Sequence, residues 1–421
     1  MNNIHEAGKP IERCRVCGNH ELTTVIDLGD QALTGVFPRS EADNPESMPL
    51  RLVKCMDGND KRRCGLVQLT HTADLCDMYG MNYGYRSSLN KAMVLHLKNK
   101  VASIRQRVPL DEGDLVIDIG SNDATLLRAF DTPRPRLIGV DPTGEKFADY
   151  YPGHVQLIPD FFSADLMRDK IGNQKAKLIT SLAMFYDLEE PLSFMRQVHE
   201  VLDDEGIWVF EQSYMPAMLD NVSFDTICHE HLEYYGLAQF KWMADRTGFK
   251  ILDVEFNDVN GGSFSVTAAK HDSPLTENDS VAIALERETR RELNTLAPFE
   301  SFANRVRQSR DELVAFLESA KTRGKTVFGY GASTKGNVVL QYCGITPELL
   351  PCIAEVNEDK YGALTPGTFI PIISEDEAHA RKPDYFLVFP WHFRKGIVKR
   401  EAAFQKAGGK LVFPLPSLEI I

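Results

Sequence analysis

The sequence predicts an α/β protein built in several units, with a doubly wound central sheet and a second, Rossmann-like sheet after it. Three observations carry that expectation. Between Asp114 and about Lys270, apolar strand-like runs alternate with helical stretches. The same alternation restarts near the C-terminus at KTVFGYGASTKG, and four cysteines crowd the start of the chain. At 421 residues the chain also exceeds the size that one hydrophobic core usually serves.

Taken in order, residues 10–72 read as a small module, in which glycines and prolines punctuate brief extended pieces such as LRLVKC. A metal would compensate for so small a core. Residues 79–270 form the central domain. Its leading helix is expected from the spacing of Leu89, Met93, Leu97, Val101 and Ile104, closed by Pro109. The strands LVIDIG, RLIGVD, KLITSLAM, GIWVFEQSY, FKILDVEF and SFSVTAAK follow, and ligands are expected at the carboxyl ends of such strands. Residues 271–320 read as a helical connector, with Phe299, Phe302, Val306, Leu313 and Phe316 as its apolar stripe. Residues 321–421 form the second Rossmann-like unit, through KTVFGYGASTKG, PCIAEV and DYFLVFP.

Composition narrows the function. Forty-seven basic against 60 acidic residues give a net charge of −13 with no Lys/Arg block, which argues against nucleic acid as a partner. The opening MNNIHEAGKPIERC lacks the features of a signal peptide, and no run of about 18 apolar residues could span a bilayer, so a cytoplasmic protein with no membrane partner is expected. In a reducing compartment the eight cysteines do not form a disulfide framework. The pair CRVCG places Cys14 and Cys17 close enough to share one ion, Gly18 allows a tight turn, and Cys55 and Cys64 complete a tetrahedral set. Four thiolates leave no open position, so the zinc is expected to be structural; Cys76 falls off the pattern.

In VIDIGSNDATLL a buried strand ends at Asp118 and passes through Gly120, Asn122 and Asp123 into an expected helix. It is not G-x-G-x-x-G, and a cationic sulfonium tolerates the acids better than a pyrophosphate does. Asp141 ends the next strand, where an acid accepts from ribose hydroxyls, and Asp160 with Phe161 precedes the place for an adenine. Together these segments look like the class I methyltransferase fold, which implies S-adenosylmethionine as cofactor.

FDTICHEHLEYY is the most unusual string. It lacks H-E-x-x-H spacing, so no metalloprotease helix is expected. Its two histidines face one way on a strand and diverge on a helix. GYGASTKGN follows a strand and opens a helix, so Gly331, Ser333, Lys335 and Asn337 are candidates for a pyrophosphate, with Glu355 at the end of the next strand near a nucleoside.

The succession CRVCG, YGMNYGYRSSLN, the D-I-G-S-N-D loop, CHEHLEYY, NGGSF and GYGASTKGN resembles the sugar C-methyltransferases that make branched deoxysugars, over nearly the whole chain. The resemblance implies a zinc module, a methyl-donor domain and a Rossmann-like domain, with a nucleotide-linked sugar held between the last two. It implies C-methylation at carbon 3 of a nucleoside-diphosphate 4-keto-6-deoxy sugar, with His231 as the base that forms an enolate and Glu230 orienting it. Tyr79, Tyr83 and Tyr85 fall in its tyrosine-rich segment, and Asn260 on a loop that approaches the sugar. Cys228 stands where such enzymes commonly carry an enolate-stabilising tyrosine, and Tyr186 where they often carry a histidine. A thiol is a weak donor, which makes His229 or Tyr186 the alternative. A monomer is expected. Methylation of a sugar or polyketide hydroxyl, and noncatalytic nucleotide-sugar binding, are the competing functions.

Overall fold

The computed structural model describes residues 8–56, 58, 60–73, 86–130 and 135–421. In chain order the strands are β1 (Leu22–Ala32), β2 (Ser47–Cys55), β3 (Val67–Leu69), β4 (Leu115–Ile119), β5 (Arg136–Val140), β6 (Val155–Ile158), β7 (Ala176–Leu182), β8 (Leu202–Ser213) and β9 (Glu233–Tyr234). They continue as β10 (Phe249–Asn257), β11 (Ser263–Lys270), β12 (Val327–Tyr330), β13 (Ile353–Glu355), β14 (Ile372–Ser374), β15 (Tyr385–Val388), β16 (Lys410–Phe413) and β17 (Glu419–Ile420).

The central sheet has the order β10-β11-β8-β7-β4-β5-β6, parallel except for β11. All five residues of β4 are buried, as expected of a strand covered on both faces. The chain runs from β4 outward to β6 and then crosses to β7, so the order reverses between β4 and β7 and a crevice opens at their carboxyl ends. The C-terminal sheet repeats this plan. Its order is β14-β13-β12-β15-β16-β17, parallel up to β16, and it reverses between β12 and β15.

Two local expectations fail. The leading helix is Lys91–Arg107, capped by the Asn90 side chain, so Leu89 lies outside it and is exposed. Among the described residues no α-helix follows β4. Asn122 and Ala124 take φ of +48° and +59°, and only a short 3₁₀ turn, Leu127–Ala129, forms ahead of Pro133 and Pro135. Left-handed residues at both positions are incompatible with a helical start there. In the connector, the expected stripe is buried on the helix Ala297–Thr322.

The cysteine module is not an appendage. Its sheet, β1-β2-β3-β9, takes its last strand from the CHEHLEYY segment: Val67 pairs with Tyr234, Gln68 with Glu233, and Leu69 N–H donates to the Leu232 carbonyl at 2.8 Å. On its other side the Gln341 side chain bonds both the amide and the carbonyl of Ala32, at 2.8 and 3.1 Å. One apolar core accordingly runs from Leu50 and Leu52 through Ile227 and Leu232 to Phe302 and Val338. Among the described residues no helix is long and apolar enough to cross a membrane.

Candidate active site

The four expected thiols converge. The sulfurs of Cys14, Cys17, Cys55 and Cys64 all lie within 4.8 Å of one another, with Cys14 to Cys64 at 3.4 Å and Cys17 to Cys55 at 3.5 Å. A tetrahedron with Zn–S bonds of about 2.3 Å has edges of roughly 3.8 Å, so the set fits a structural zinc with no open position. Gly18 takes φ of +72°, but its amide bonds the Cys14 carbonyl rather than a sulfur. The Asn19 side chain supplies a donor instead, to the Cys55 sulfur at 3.3 Å. Cys76 lies outside the described residues.

At the tip of β4 the donor candidates gather around the crevice. Gly120 takes φ of +74°, and a Cβ there would sit 3.2 Å from the Met184 side chain, so the close turn needs glycine. Asp141 accepts from the amides of Asn122 and Thr143, each at 2.7 Å, and from the Thr143 hydroxyl at 2.5 Å, which fixes the carboxylate at the tip of β5 and leaves Oδ2 a second lone pair. Burial pushes the Asp118 carboxyl up to about 7, against the Thr180 hydroxyl that donates to it at 2.6 Å. A cationic ligand there would be met by carboxylates and by few free amide donors, which suits the methyl donor. Two expected residues stay out of the crevice. Asp123 turns away to accept from Thr125 and from the Ser88 amide, and Asp160 is exposed and accepts from the amide of Phe161, which does line it.

The crevice opens into one cavity of about 1790 Å³ that reaches from Asp118 and Asp141 to Gly331 and Glu355 at the tips of the C-terminal sheet. Cys228, Glu230, His231, Tyr186 and Asn260 line its middle. His231 Nδ1 lies 2.9 Å from the Thr226 carbonyl, which can only accept, so Nδ1 carries the hydrogen and Nε2 is the basic nitrogen. Burial, and after it the charge of Lys335, push the imidazole down to about 3, which keeps it unprotonated. The Tyr186 ring packs on it at 4.2 Å between centroids.

Several expectations about this segment need correction. Glu230 does not orient His231. Its carboxyl accepts from the Thr34 hydroxyl at 3.3 Å, and the orienting contact comes from the Thr226 backbone. His229 is buried and points to the Met48 carbonyl at 3.3 Å while His231 lines the cavity, because the two sit in the turn that precedes β9 and not in a strand. Burial is the main cause that holds its ring down, to about 4. Tyr79, Tyr83 and Tyr85 lie outside the described residues.

In the C-terminal loop, the Ser333 hydroxyl caps the helix Thr334–Tyr342 by accepting from the Gly336 amide at 3.0 Å. Lys335 Nζ reaches across to the Asn260 carbonyl at 3.0 Å. Asn337 does not face the cavity; its amide nitrogen donates to the Thr34 carbonyl at 2.7 Å, because the helix packs on the cysteine module. Both Glu355 oxygens are engaged by backbone amides, including Ala332 at 2.8 Å. Sequence reasoning missed two cavity groups. His96 lies 2.5 Å from Glu211, itself at the carboxyl end of β8. Trp391 and His392 follow β15 at the reversal point of the C-terminal sheet, where the same strand-end rule that flagged Asp118 would have flagged them.

Three family models match in succession: one described as "Putative zinc binding domain" over residues 14–79, one as "Methyltransferase domain" over 93–254, and one as "C-methyltransferase C-terminal domain" over 258–416. The chain is 30% identical over 417 residues to the C-methyltransferase NovU of Streptomyces niveus, a match that spans 98% of this chain and 97% of NovU. Among solved structures, the complex of the Haloferax volcanii Trm112 methyltransferase activator with a methyltransferase matches with 13% identity, 43% of this chain, 95% of its own and a TM-score of 0.35. The CcbJ methyltransferase of Streptomyces caelestis matches with 12% identity, 41% and 89% coverage and a TM-score of 0.32. These two weak likenesses add nothing to the sequence matches. From the full-length relative and the three consecutive domains, the chain belongs to the C-methyltransferase family of NovU, as an S-adenosylmethionine-dependent methyltransferase with a structural zinc site.

Proposed function

We propose that the protein methylates carbon 3 of a nucleoside-diphosphate 4-keto-6-deoxy sugar, with His231 Nε2 as the base that removes the proton beside the ketone. The observation that carries this reading is the fixed tautomer of His231 inside a cavity shared by two sheets: Nδ1–H is committed to Thr226, and Nε2 is left to accept. An imidazole held in this way is unprotonated and presents the Nε2 lone pair as a proton acceptor. A volume of about 1790 Å³ supports occupancy by two ligands, since a single small-molecule site spans roughly 300–1,000 Å³.

Asp118, Gly120, Asn122 and Asp141 hold the donor at the tips of β4 and β5, and Phe161 flanks its adenine. When bound, S-adenosylmethionine supplies an electrophilic methyl group on a positively charged sulfur. The nucleotide-sugar lies toward Gly331, Ser333 and Glu355, with Asn260 reaching it from the central domain. Glu230 ties the base segment to Thr34, so it positions the loop rather than the imidazole.

The test is mass spectrometry of the products formed from a panel of nucleotide-linked 4-keto sugars with methyl-labelled donor. The reading expects a carbon-bound methyl group, and no turnover in His231→Asn at unchanged donor affinity. Full activity of that variant removes His231 from the mechanism.

A further inference from the structure

Removing a proton beside a ketone puts negative charge on the ketone oxygen, and a buried site needs a donor aimed at that oxygen. Cys228 is not that donor. Burial and the charge of Glu230 keep its thiol protonated, and a thiol is a weak hydrogen-bond donor. His231 is not that donor either, because its one N–H is committed to Thr226.

We propose that Lys335, with His392 beside it, binds the ketone oxygen as charge develops there. The inference rests on the enolate reading above and adds to it two groups from the C-terminal sheet, which would make that sheet part of the chemistry as well as of substrate binding.

Lys335 sits on the glycine loop but turns away from it. Its Nζ bonds the Asn260 carbonyl at 3.0 Å, which among the described residues leaves two of its three N–H groups without a partner. Cys228, His231, Lys335 and His392 line one cavity. The ammonium charge is felt at each of the others: it lowers the basicity of His231 and of His392 and favours the ionised form of Cys228.

His392 has a buried Nδ1 with no hydrogen-bond partner among the described residues. Its neighbour is pinned: Trp391 Nε1 donates to Asp225 at 2.9 Å, and the Trp391 ring packs so closely on Gly261 that a Cβ there would come to 3.0 Å. The NGG loop therefore fixes both groups, Lys335 through the Asn260 carbonyl and His392 through Trp391. Burial keeps His392 neutral, and a neutral imidazole N–H is a competent donor to an enolate oxygen.

In the step itself, His231 Nε2 takes the proton. The C–H electron pair becomes the carbon–carbon double bond, and the carbonyl pair moves on to oxygen, where Lys335 and His392 donate to it. As the carbon bonds to the methyl group the pair returns to re-form the carbonyl. The departing sulfur keeps the electrons of its broken bond, and the proton on His231 leaves to water.

Deuterium exchange at carbon 3 in heavy water tests this, using a sugar nucleotide that the wild type methylates and S-adenosylhomocysteine in place of the donor. Exchange then reports enolate formation without methyl transfer. Lys335→Met is expected to lower exchange and kcat together by about 10²–10³-fold, the range for loss of one oxyanion donor, with KM and donor affinity within about twofold. Lys335→Arg should recover part of both rates, and His392→Phe should lose about tenfold in both. Retained donor affinity shows that each variant is folded. Exchange that survives Lys335→Met, with only KM raised, overturns the proposal in favour of phosphate binding. Loss of exchange in Tyr186→Phe but not in Lys335→Met also overturns it. Wild-type exchange that persists in His231→Asn sinks the assignment of the base instead, and is recognisable because Lys335→Met is then compared with an intact exchange signal.

Discussion

At the tip of β4 the Asn122 amide donates to Asp141, from the next strand, at 2.7 Å; at the tip of β12 the Ala332 amide donates to Glu355, from the next strand, at 2.8 Å. The two Rossmann-like sheets thus close their first loop with the same clasp, a carboxylate of the second strand holding an amide of the first turn. Beyond that clasp their backbones diverge. After β4 the chain enters left-handed residues and a 3₁₀ turn, and the tips of β4 and β5 present the carboxyl groups of Asp118 and Asp141 to the cavity. After β12 a capped helix of nine residues begins at once and carries Lys335 into the cavity. One crevice is built to receive a cation and the other to present one. That opposition across a single cavity suits a reaction between a sulfonium and a developing oxyanion.

The largest expected effect removes what both sheets lean on. Zinc in such sites contributes on the order of 10 kcal/mol to folding of the module that holds it. Cys17→Ser should lose the metal, measured by elemental analysis, and a strongly lowered Tm should follow. Because β9 pairs with β3, kcat should fall before donor affinity does. A zinc-free variant with wild-type kcat would show that the base segment stands without the module.

Next in size is His231→Asn, with a loss of about 10²–10⁴-fold in kcat, the range for a general base. Titration calorimetry should give an unchanged donor affinity, which separates the two crevices functionally.

Asp118 sharpens the electrostatic contrast. Burial pushes it up to about 7, so it is largely protonated below that pH and offers no charge to a cationic donor. Donor affinity should therefore rise about tenfold from pH 6 to pH 8 and become flat in Asp118→Asn. Affinity that falls as the pH rises would contradict the sign.

The smallest effect concerns His229. Its buried ring is held down to about 4 against an ordinary 6.5, so the unfolded chain binds more protons between those values. Stability should decline as the pH falls through that window. His229→Gln, whose amide can still reach the Met48 carbonyl, should soften the decline in Tm.

Much of the fold was legible because it is written locally. LVIDIG and RLIGVD are buried runs with an acid at the tip, and CRVCG brings two ligands together within one turn. The cavity was legible as far as strand ends point to it, which reached Asp118, Asp141 and Lys335 but passed over His392. Other features depend on contacts far along the chain. The two-residue strand Glu233–Tyr234 has no periodicity to detect, yet it pairs with β3, and the turn before it leaves His229 on the Met48 carbonyl and His231 in the cavity. Asn337 looked like a ligand group on a glycine loop, and packing against Thr34 claimed it first. That no helix opens directly after β4 among the described residues follows from left-handed Asn122 and Ala124; asparagine tolerates that conformation, but an alanine there is uncommon and announces nothing in the sequence.

The most direct test of the account uses the substrate deuterated at carbon 3 and counts label against product. One deuteron released to water for every S-adenosylhomocysteine formed, with the methyl group on carbon, is the predicted result. A methyl ether that keeps its deuterium would contradict it.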